Sequence, residues 1–99
     1  QGLMNSSVIQ LHAVVQGVVQ GVGFRFFVVE AASRLNLTGW VRNTHYGDVE
    51  VLAEGPRDQL DQLLILMRQG PRAAHVININ AEWQPATGSF TDFRVRSTV

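Results

Sequence analysis

The chain has 99 residues, of which 45% are hydrophobic, and this is the size of one domain with one core. Its eight cations, all arginines, equal its eight acidic residues in number, so we expect no nucleic-acid or membrane-surface role. The absence of cysteine excludes disulfides, thiol nucleophiles and thiolate metal sites. No apolar run reaches membrane-spanning length and no signal peptide is visible, so we expect a cytoplasmic protein.

The two ends of the chain are predicted to lie outside the folded domain. The letters "QGL" at 1–3 are typical of the remnant of a cleaved tag, and 4–7 are predicted to form an N-terminal tail. We place the domain at 8–97 and assign 98–99 to a C-terminal tail. No linker, repeat or low-complexity segment divides the domain.

A strand followed by a helix is predicted at the start of the domain. The strand is indicated by alternating apolar residues: Ile9, Leu11, Ala13 and Val15. The helix is indicated by apolar residues at helical spacing: Phe24, Phe27, Val28, Ala31, Ala32 and Leu35. Asn36 is typical of the left-handed residue that ends a helix. The letters "NLT" at 36–38 also match a glycosylation acceptor motif. In a chain without a secretory signal, the helix-ending role of Asn36 is the preferred interpretation.

A hairpin and a second helix are predicted next. The stretches "LTGWVRN" and "DVEVLAEG" indicate two strands joined by the turn "THYG". Pro56 opens the second helix, and Gly70 with Pro71 ends it. Its core stripe consists of Leu60, Leu63, Leu64 and Met67. Because Ile65 and Leu66 fall outside that stripe, we expect them to be at least partly exposed.

Two further strands complete the predicted order. Alternation in "HVININAEW" indicates a long strand through Ile77, Ile79, Ala81 and Trp83. The stretch "DFRVR" indicates a short final strand or extension. The order βαββαβ predicts an α+β fold of the ferredoxin-like type, with an antiparallel sheet and both helices on one face.

A glycine-rich loop, "GVVQGVGF" at 17–24, joins the first strand to the first helix. Glycines allow backbone N–H groups to converge on one point, and the helix N-terminus adds positive potential, so the loop is a candidate anion site. Arg25 opposes the helix dipole, which indicates a purpose other than helix stability. A tight turn without a ligand is the alternative. A dinucleotide site or a P-loop is excluded, because the P-loop lysine is missing and a hairpin follows the helix.

These stretches together resemble acylphosphatases. The resemblance is carried by "GVVQGVGFR", "LNLTGWVRN", "GDVEVLAEG", "QGPRAAHV" and "TDFRVR", and it covers nearly all of the chain from Val8 to Arg96. It implies a small ferredoxin-like enzyme that hydrolyses the carboxyl-phosphate bond of acyl phosphates without a metal, a cofactor or a covalent intermediate. The departures, "HYGD" in the hairpin and "RSTV" at the end, fall outside the implied site.

The resemblance also implies roles for individual residues. The phosphoryl oxygens are bound by Arg25 and by the backbone amides of the loop, at Gln20, Gly21, Val22, Gly23 and Phe24. Asn43 is implied to position the attacking water through its amide oxygen, while the substrate's own phosphate takes the proton. For Asn43 taken alone, a residue that ends a strand and starts a turn is the alternative.

Three classes of function are compatible with these features. Besides the enzyme, they are a phosphate- or carbamoyl-phosphate-binding module of the kind fused to carbamoyl-transferring maturation factors, and a structural ferredoxin-like domain. The chain length and the presence of both Arg25 and Asn43 favour the enzyme, with an acyl phosphate as substrate and inorganic phosphate as product. We expect a monomer.

The histidines are predicted to be structural or solvent-facing. His12, His45 and His75 share no metal-ligand spacing, so we expect neither a metal site nor a catalytic histidine. The tryptophans and phenylalanines are expected in the core, because no aromatic-rich strand of an RNA-binding domain accompanies them.

Overall fold

The computed structural model describes residues 8–99, so the predicted tag remnant at 1–3 and the tail at 4–7 lie outside the described residues. Its elements are β1 (Val8–Val18), α1 (Phe24–Arg34), β2 (Thr38–Asn43), β3 (Val49–Pro56), α2 (Arg57–Gln69), β4 (His75–Pro85) and β5 (Phe93–Val95). This is the predicted βαββαβ order with a short final strand. Within residues 8–99 no helix combines the length and the apolar character that crossing a membrane requires.

The strands form one sheet in the order β4-β1-β3-β2-β5. The four long strands pair antiparallel, as predicted, whereas β5 pairs parallel to β2 at the edge. The two helices lie side by side on one face, with α1 against β2 and β5 and α2 against β3 and β4. The central pairing sets Val15 opposite Val49 and Ala13 opposite Val51, and all four side chains are fully buried. The ferredoxin-like prediction is confirmed, with β5 making the sheet mixed.

Helix α1 ends as the sequence predicts. Its buried residues belong to the predicted face: Phe24, Val28, Ala31 and Ala32. Asn36 has a φ of 58°, the left-handed conformation that commonly follows a helix. The N–H of Leu37 donates to the carbonyl of Ala32 at 2.9 Å, so the chain turns at once into β2.

Helix α2 begins at Arg57, one residue later than predicted, because Pro56 is the extended N-cap residue and also ends β3. Its fully buried side chains are Leu60, Leu63 and Met67. Leu64, which was predicted on the same stripe, is only partly buried. Ile65 is 51% exposed and Leu66 is partly exposed, which confirms the expectation for both, although Leu66 also packs against the core.

The alternation predicted for β4 is interrupted by a bulge. Gln16 lies opposite Asn78, but the next residue of β1, Gly17, lies opposite Val76. Ile77 is therefore skipped in the pairing, and its side chain is 72% exposed although Ile79 is buried. A bulge reverses the alternation of side chains beyond it. The prediction of regular alternation through Ile77 is wrong, because a run of apolar residues does not reveal a bulge.

Two aromatic residues also differ from the prediction of a core position. Trp83 lies on the edge strand β4 and is only half-buried, with the guanidinium of Arg57 at 3.8 Å from its ring centroid. Phe26, in the first turn of α1, is 67% exposed. The arginine covers part of the Trp83 ring by a cation–π contact. Phe26 lies beside the glycine-rich loop.

A buried carboxylate holds the sheet to the segment between β4 and β5. Glu54 accepts hydrogen bonds from Gln10 Nε2 at 2.6 Å, Thr87 N at 2.8 Å, Thr87 Oγ1 at 2.9 Å and Gly88 N at 3.0 Å. Burial acts to raise the pKa of Glu54, but these hydrogen bonds together outweigh it and hold the pKa below its ordinary value. The ionised carboxylate is thus the form that the fold favours.

We expect Glu54→Gln to lower the free energy of unfolding at neutral pH by about 1–3 kcal/mol, because charge-assisted hydrogen bonds are lost. A lowered native pKa contributes stability that is complete above the unfolded value of about 4.3 and is lost as the pH falls through the native value. In urea unfolding, the difference between the two proteins should therefore shrink as the pH falls below about 5 and through the native pKa.

Glu30→Gln, at an exposed position of α1, controls for the change in net charge. A difference between Glu54→Gln and the parent protein that stays constant over this pH range would contradict the role assigned to the ionised carboxylate.

Candidate functional site

A cleft of about 370 Å³ opens where the glycine-rich loop meets the start of α1. It is lined by Val19, Gly21, Gly23, Phe24, Arg25, Phe26, Val29 and Val95. Of the described residues that line it, Arg25 is the one that carries a charge. The cleft therefore combines glycine backbone and one guanidinium with apolar side chains.

The backbone of the loop leaves a run of N–H groups without backbone acceptors. Gly23, the N-cap of α1, is left-handed with φ 81° and ψ 16°, a conformation that side chains disfavour. In the described part of the chain, no N–H between Val19 and Phe26 donates to a backbone carbonyl, and the first to do so is that of Phe27, to Gly23 at 3.1 Å. The first N–H groups of a helix have no helical acceptor. These N–H groups and the helix dipole make the loop attractive to an anion.

The Gln20 side chain attaches the loop to the turn of the hairpin. Its Nε2 donates to the carbonyl of Thr44 and to that of Asp48, each at 2.8 Å. Both N–H bonds of the amide are thereby used, so the side chain is held at two points. Sequence reasoning assigned Gln20 a role for its backbone only. The side-chain role had no sequence signal, because the acceptors are main-chain atoms 24 and 28 residues away.

Asn43 ends β2 at the edge of the sheet where the loop lies. It pairs with Val49, which in turn lies opposite Val15 of β1. Strand alternation puts its side chain on the face of Val41, the face that the helices cover. Its Oδ1 is buried and has no hydrogen-bond partner among residues 8–99. A buried, unpaired polar atom costs about 1–3 kcal/mol, so this oxygen is a candidate acceptor for a bound molecule.

The structure brings only part of the predicted set onto the surface of the cleft. Gly21, Gly23, Phe24 and Arg25 line it, whereas Gln20, Val22 and Asn43 do not. Gln20 and Val22 are nevertheless next to lining residues in the loop. Asn43 precedes the Thr44 carbonyl that Gln20 binds.

The C-terminal segment lies along the same edge of the sheet. Val95, which lines the cleft, pairs with Val41, two residues before Asn43. The N–H of Val99 donates to the carbonyl of Asn43 at 3.3 Å, and the N–H of His45 donates to the carbonyl of Val99 at 2.8 Å. The segment predicted as a tail at 98–99 therefore contacts the end of β2.

The charges near the cleft are not balanced by nearby acids. None of the ion pairs formed within residues 8–99 includes Arg25. The first turn of α1 contains no acidic residue. A guanidinium without a carboxylate partner, next to unpaired N–H groups, makes this part of the surface electropositive.

His12, His45 and His75 do not line the cleft. Nε2 of His12 lies 2.7 Å from Oε2 of Glu50, whose Oε1 accepts a hydrogen bond from Arg42 Nε at 2.8 Å. Burial raises the pKa of Glu50, but the contacts with His12 and Arg42 outweigh it and lower that pKa overall. His45 and His75 are exposed. Among residues 8–99, no three His, Asp or Glu side chains are grouped so that they could hold a metal ion.

Comparison with known proteins adds to this geometry. A family model described as acylphosphatase matches residues 11–95. The chain belongs to the acylphosphatase family. It is 46% identical over 87 residues to an acylphosphatase of Salinibacter ruber, an alignment that covers 88% of this chain and 92% of that protein. The crystal structure of acylphosphatase from Bacillus subtilis is similar with a TM-score of 0.86 and 35% identity, covering 89% of this chain and 98% of that one.

A similar unit also occurs inside a much longer protein. Full-length HypF, in its phosphate- and nucleotide-bound form, matches 95% of this chain with a TM-score of 0.86 and 25% identity. The match covers only 12% of the HypF chain. The fold is therefore found both in small acylphosphatases and as a small part of a longer chain.

We expect Gly17→Ala to destabilise the fold more than Gly21→Ala does. Both glycines have positive φ, 134° and 74°, so each alanine costs about 1–2 kcal/mol in backbone strain. A Cβ at Gly17 would in addition collide with the His75 carbonyl oxygen and the Ile77 nitrogen, whereas a Cβ at Gly21 meets no atom within 4 Å. Urea unfolding measures both losses. Equal losses of unfolding free energy would show that the backbone at the bulge accommodates the added Cβ without a loss of stability.

Proposed function

We propose that this protein hydrolyses the carboxyl-phosphate bond of acyl phosphates and releases a carboxylate and inorganic phosphate. The observation that carries the proposal is the run of unpaired N–H groups from Val19 to Phe26 beside Arg25 in one cleft. Membership of the acylphosphatase family supports the choice of acyl phosphates over other phosphate compounds.

The phosphoryl group is held by the loop and by the guanidinium. In this proposal the amides of Gln20, Gly21, Val22, Gly23 and Phe24 donate to its non-bridging oxygens. Arg25 adds charge-assisted hydrogen bonds, which are about twice as strong as neutral ones. Because Gln20 and the left-handed glycines fix the loop, these donors are oriented before the substrate arrives. They stabilise the charge that accumulates on the oxygens during phosphoryl transfer.

The attacking water is positioned by Asn43. Its buried Oδ1 accepts one hydrogen bond from the water and thereby directs the water oxygen at the phosphorus. The amide is neutral and does not act as a base, so a phosphate oxygen of the substrate takes the proton. The water oxygen forms a bond to phosphorus as the bond to the acyl oxygen breaks in line with it. A carboxylate, with an ordinary pKa of about 4, leaves without needing a proton.

Alanine substitutions should separate these two roles. Arg25→Ala is expected to abolish turnover of an aryl acyl phosphate and to weaken inhibition by inorganic phosphate, because the guanidinium contacts the anion before and during the reaction. Asn43→Ala is expected to reduce kcat by a factor of about 10²–10³ and to leave phosphate inhibition nearly unchanged, because the amide contacts only the nucleophile.

Arg68→Ala and Asn80→Ala, at exposed positions of α2 and β4, are the matched controls, and circular dichroism checks the fold of each variant. The assignment to Asn43 fails if Asn43→Ala turns over normally or loses phosphate inhibition as completely as Arg25→Ala.

A binding module without turnover is the second candidate, and the similarity to part of HypF favours it over a purely structural domain. Turnover and binding assays of the parent protein distinguish the candidates. A binding module binds inorganic phosphate or carbamoyl phosphate at equilibrium but does not hydrolyse an aryl acyl phosphate. A structural domain does neither.

We also propose that the protein works as a cytoplasmic monomer without a metal ion. On α2, Ile65 is exposed and the adjacent Leu66 is partly exposed, and scattered exposure of this kind is ordinary on monomers. In the proposed site the positive charge that a metal supplies elsewhere comes from Arg25 and from the loop amides.

Turnover is therefore expected to be the same in the presence and absence of a chelator. The measurement is the initial rate with an aryl acyl phosphate after dialysis against EDTA, with and without added Mg²⁺ or Zn²⁺. A rate that falls in EDTA and returns with a divalent ion would contradict the metal-free proposal.

A further inference from the structure

The cleft is larger than a phosphoryl group requires. Its volume of about 370 Å³ lies within the range of about 300–1,000 Å³ that is usual for sites of small organic ligands. A phosphoryl group has only four heavy atoms. When that group lies against the loop amides and Arg25, the rest of the cleft is left for the group to which the phosphate is attached.

That remaining part of the cleft has an apolar wall, here called the apolar shelf and formed by Phe26, Val29 and Val95. Phe26 and Val29 are three residues apart on α1, so they lie on the same side of the helix. Val95 belongs to β5, which packs against α1. The shelf thus joins a helix side and a strand edge.

The exposure of Phe26 is the unusual feature of the shelf. Its side chain is 67% exposed, although it directly follows Arg25 on the wall of the cleft. A single exposed apolar residue is ordinary on a protein surface. An exposed phenylalanine with two valines beside an anion-binding loop is a concave apolar surface next to a polar anchor, the usual composition of a ligand site.

We propose that the apolar shelf binds the acyl part of the substrate and that Phe26 makes the enzyme prefer acyl phosphates with an aromatic or bulky apolar acyl group. This inference rests on the proposed function. The acyl carbon is joined to the phosphorus through one oxygen, so the acyl group must lie beside the loop, within the same cleft. An acyl group with its own carboxylate would lose water against the shelf without gaining a partner, because Arg25 is engaged by the phosphate.

The kinetic test compares benzoyl phosphate with acetyl phosphate. In the parent protein we expect kcat/KM to be higher for benzoyl phosphate, and Phe26→Ala should lower the ratio of the two values about tenfold. The change should lie mainly in KM for benzoyl phosphate, because the ring contacts the acyl group equally in the ground and transition states. Phe26→Leu should retain part of the preference. Tyr46→Ala, which removes a 93% exposed aromatic ring from the hairpin turn, should leave the ratio unchanged.

A binding test keeps this inference separate from the proposed function. Phenylphosphonate should bind to the parent protein about tenfold more tightly than methylphosphonate by calorimetry, and Phe26→Ala should remove that preference. If neither acyl phosphate is hydrolysed but the phosphonate preference depends on Phe26, the proposed function fails and the apolar shelf stands. The shelf does not bind the acyl group if Phe26→Ala changes kcat/KM for both substrates by the same factor and the affinity for both phosphonates by the same factor. The same conclusion follows if Phe26→Ala changes none of these values.

Discussion

The open backbone of the 19–26 segment is the constraint on which the site depends. A stretch whose N–H groups have no backbone acceptor gains nothing from its own hydrogen bonds, so its shape must be set by its surroundings. Two features fix the shape of the segment. The first is the left-handed conformation of its glycines, and the second is the Gln20 side-chain amide, which donates to the Thr44 and Asp48 carbonyls at 2.8 Å. Because these carbonyls belong to the hairpin turn, the same contacts keep the loop next to the end of β2. The loop therefore keeps its shape without backbone hydrogen bonds from its own N–H groups.

Buried polar side chains at the two ends of the sheet differ in whether the protein supplies their hydrogen bonds. Near the start of β1, Glu54 is buried with four hydrogen bonds from protein donors, and its charge stabilises the fold. At the end of β2, the Oδ1 of Asn43 is buried with none among the described residues. The first arrangement stabilises the native state, whereas the second costs stability and, in the proposed site, leaves an acceptor for the attacking water. Such local costs are typical of functional sites, where stability and activity favour different arrangements.

Periodicity in the sequence predicts the elements of this fold, and the resemblance to acylphosphatases predicts the loop, Arg25 and Asn43. The end of α1 at Asn36 follows from local chemistry and is confirmed. The bulge opposite Gly17, the parallel pairing of β5 and the side-chain bonds of Gln20 are not predictable in this way. Each depends on which main-chain atoms meet across the sheet or between loops, and such contacts leave no period in the sequence. The exposure of Phe26 was missed for a related reason, since a phenylalanine at a helix start is compatible with both the core and a cleft wall.

The neutrality of the chain does not prevent it from attracting an anion, because its charges are distributed unevenly. Arg42, Arg57 and Arg94 each donate to a carboxylate at 2.8–3.1 Å, so their fields are locally cancelled. Arg25 takes part in no ion pair within residues 8–99, and no acid occurs in the first turn of α1. Beyond about 8–10 Å at physiological salt, the potential of exposed charges is largely screened. Arg34, Arg68, Arg72 and Arg96 form no ion pair within residues 8–99 either. Arg25 differs from them in lying in the cleft beside the unpaired N–H groups of the loop. A balanced composition excludes a polyanion as a general partner and remains compatible with a small anionic substrate.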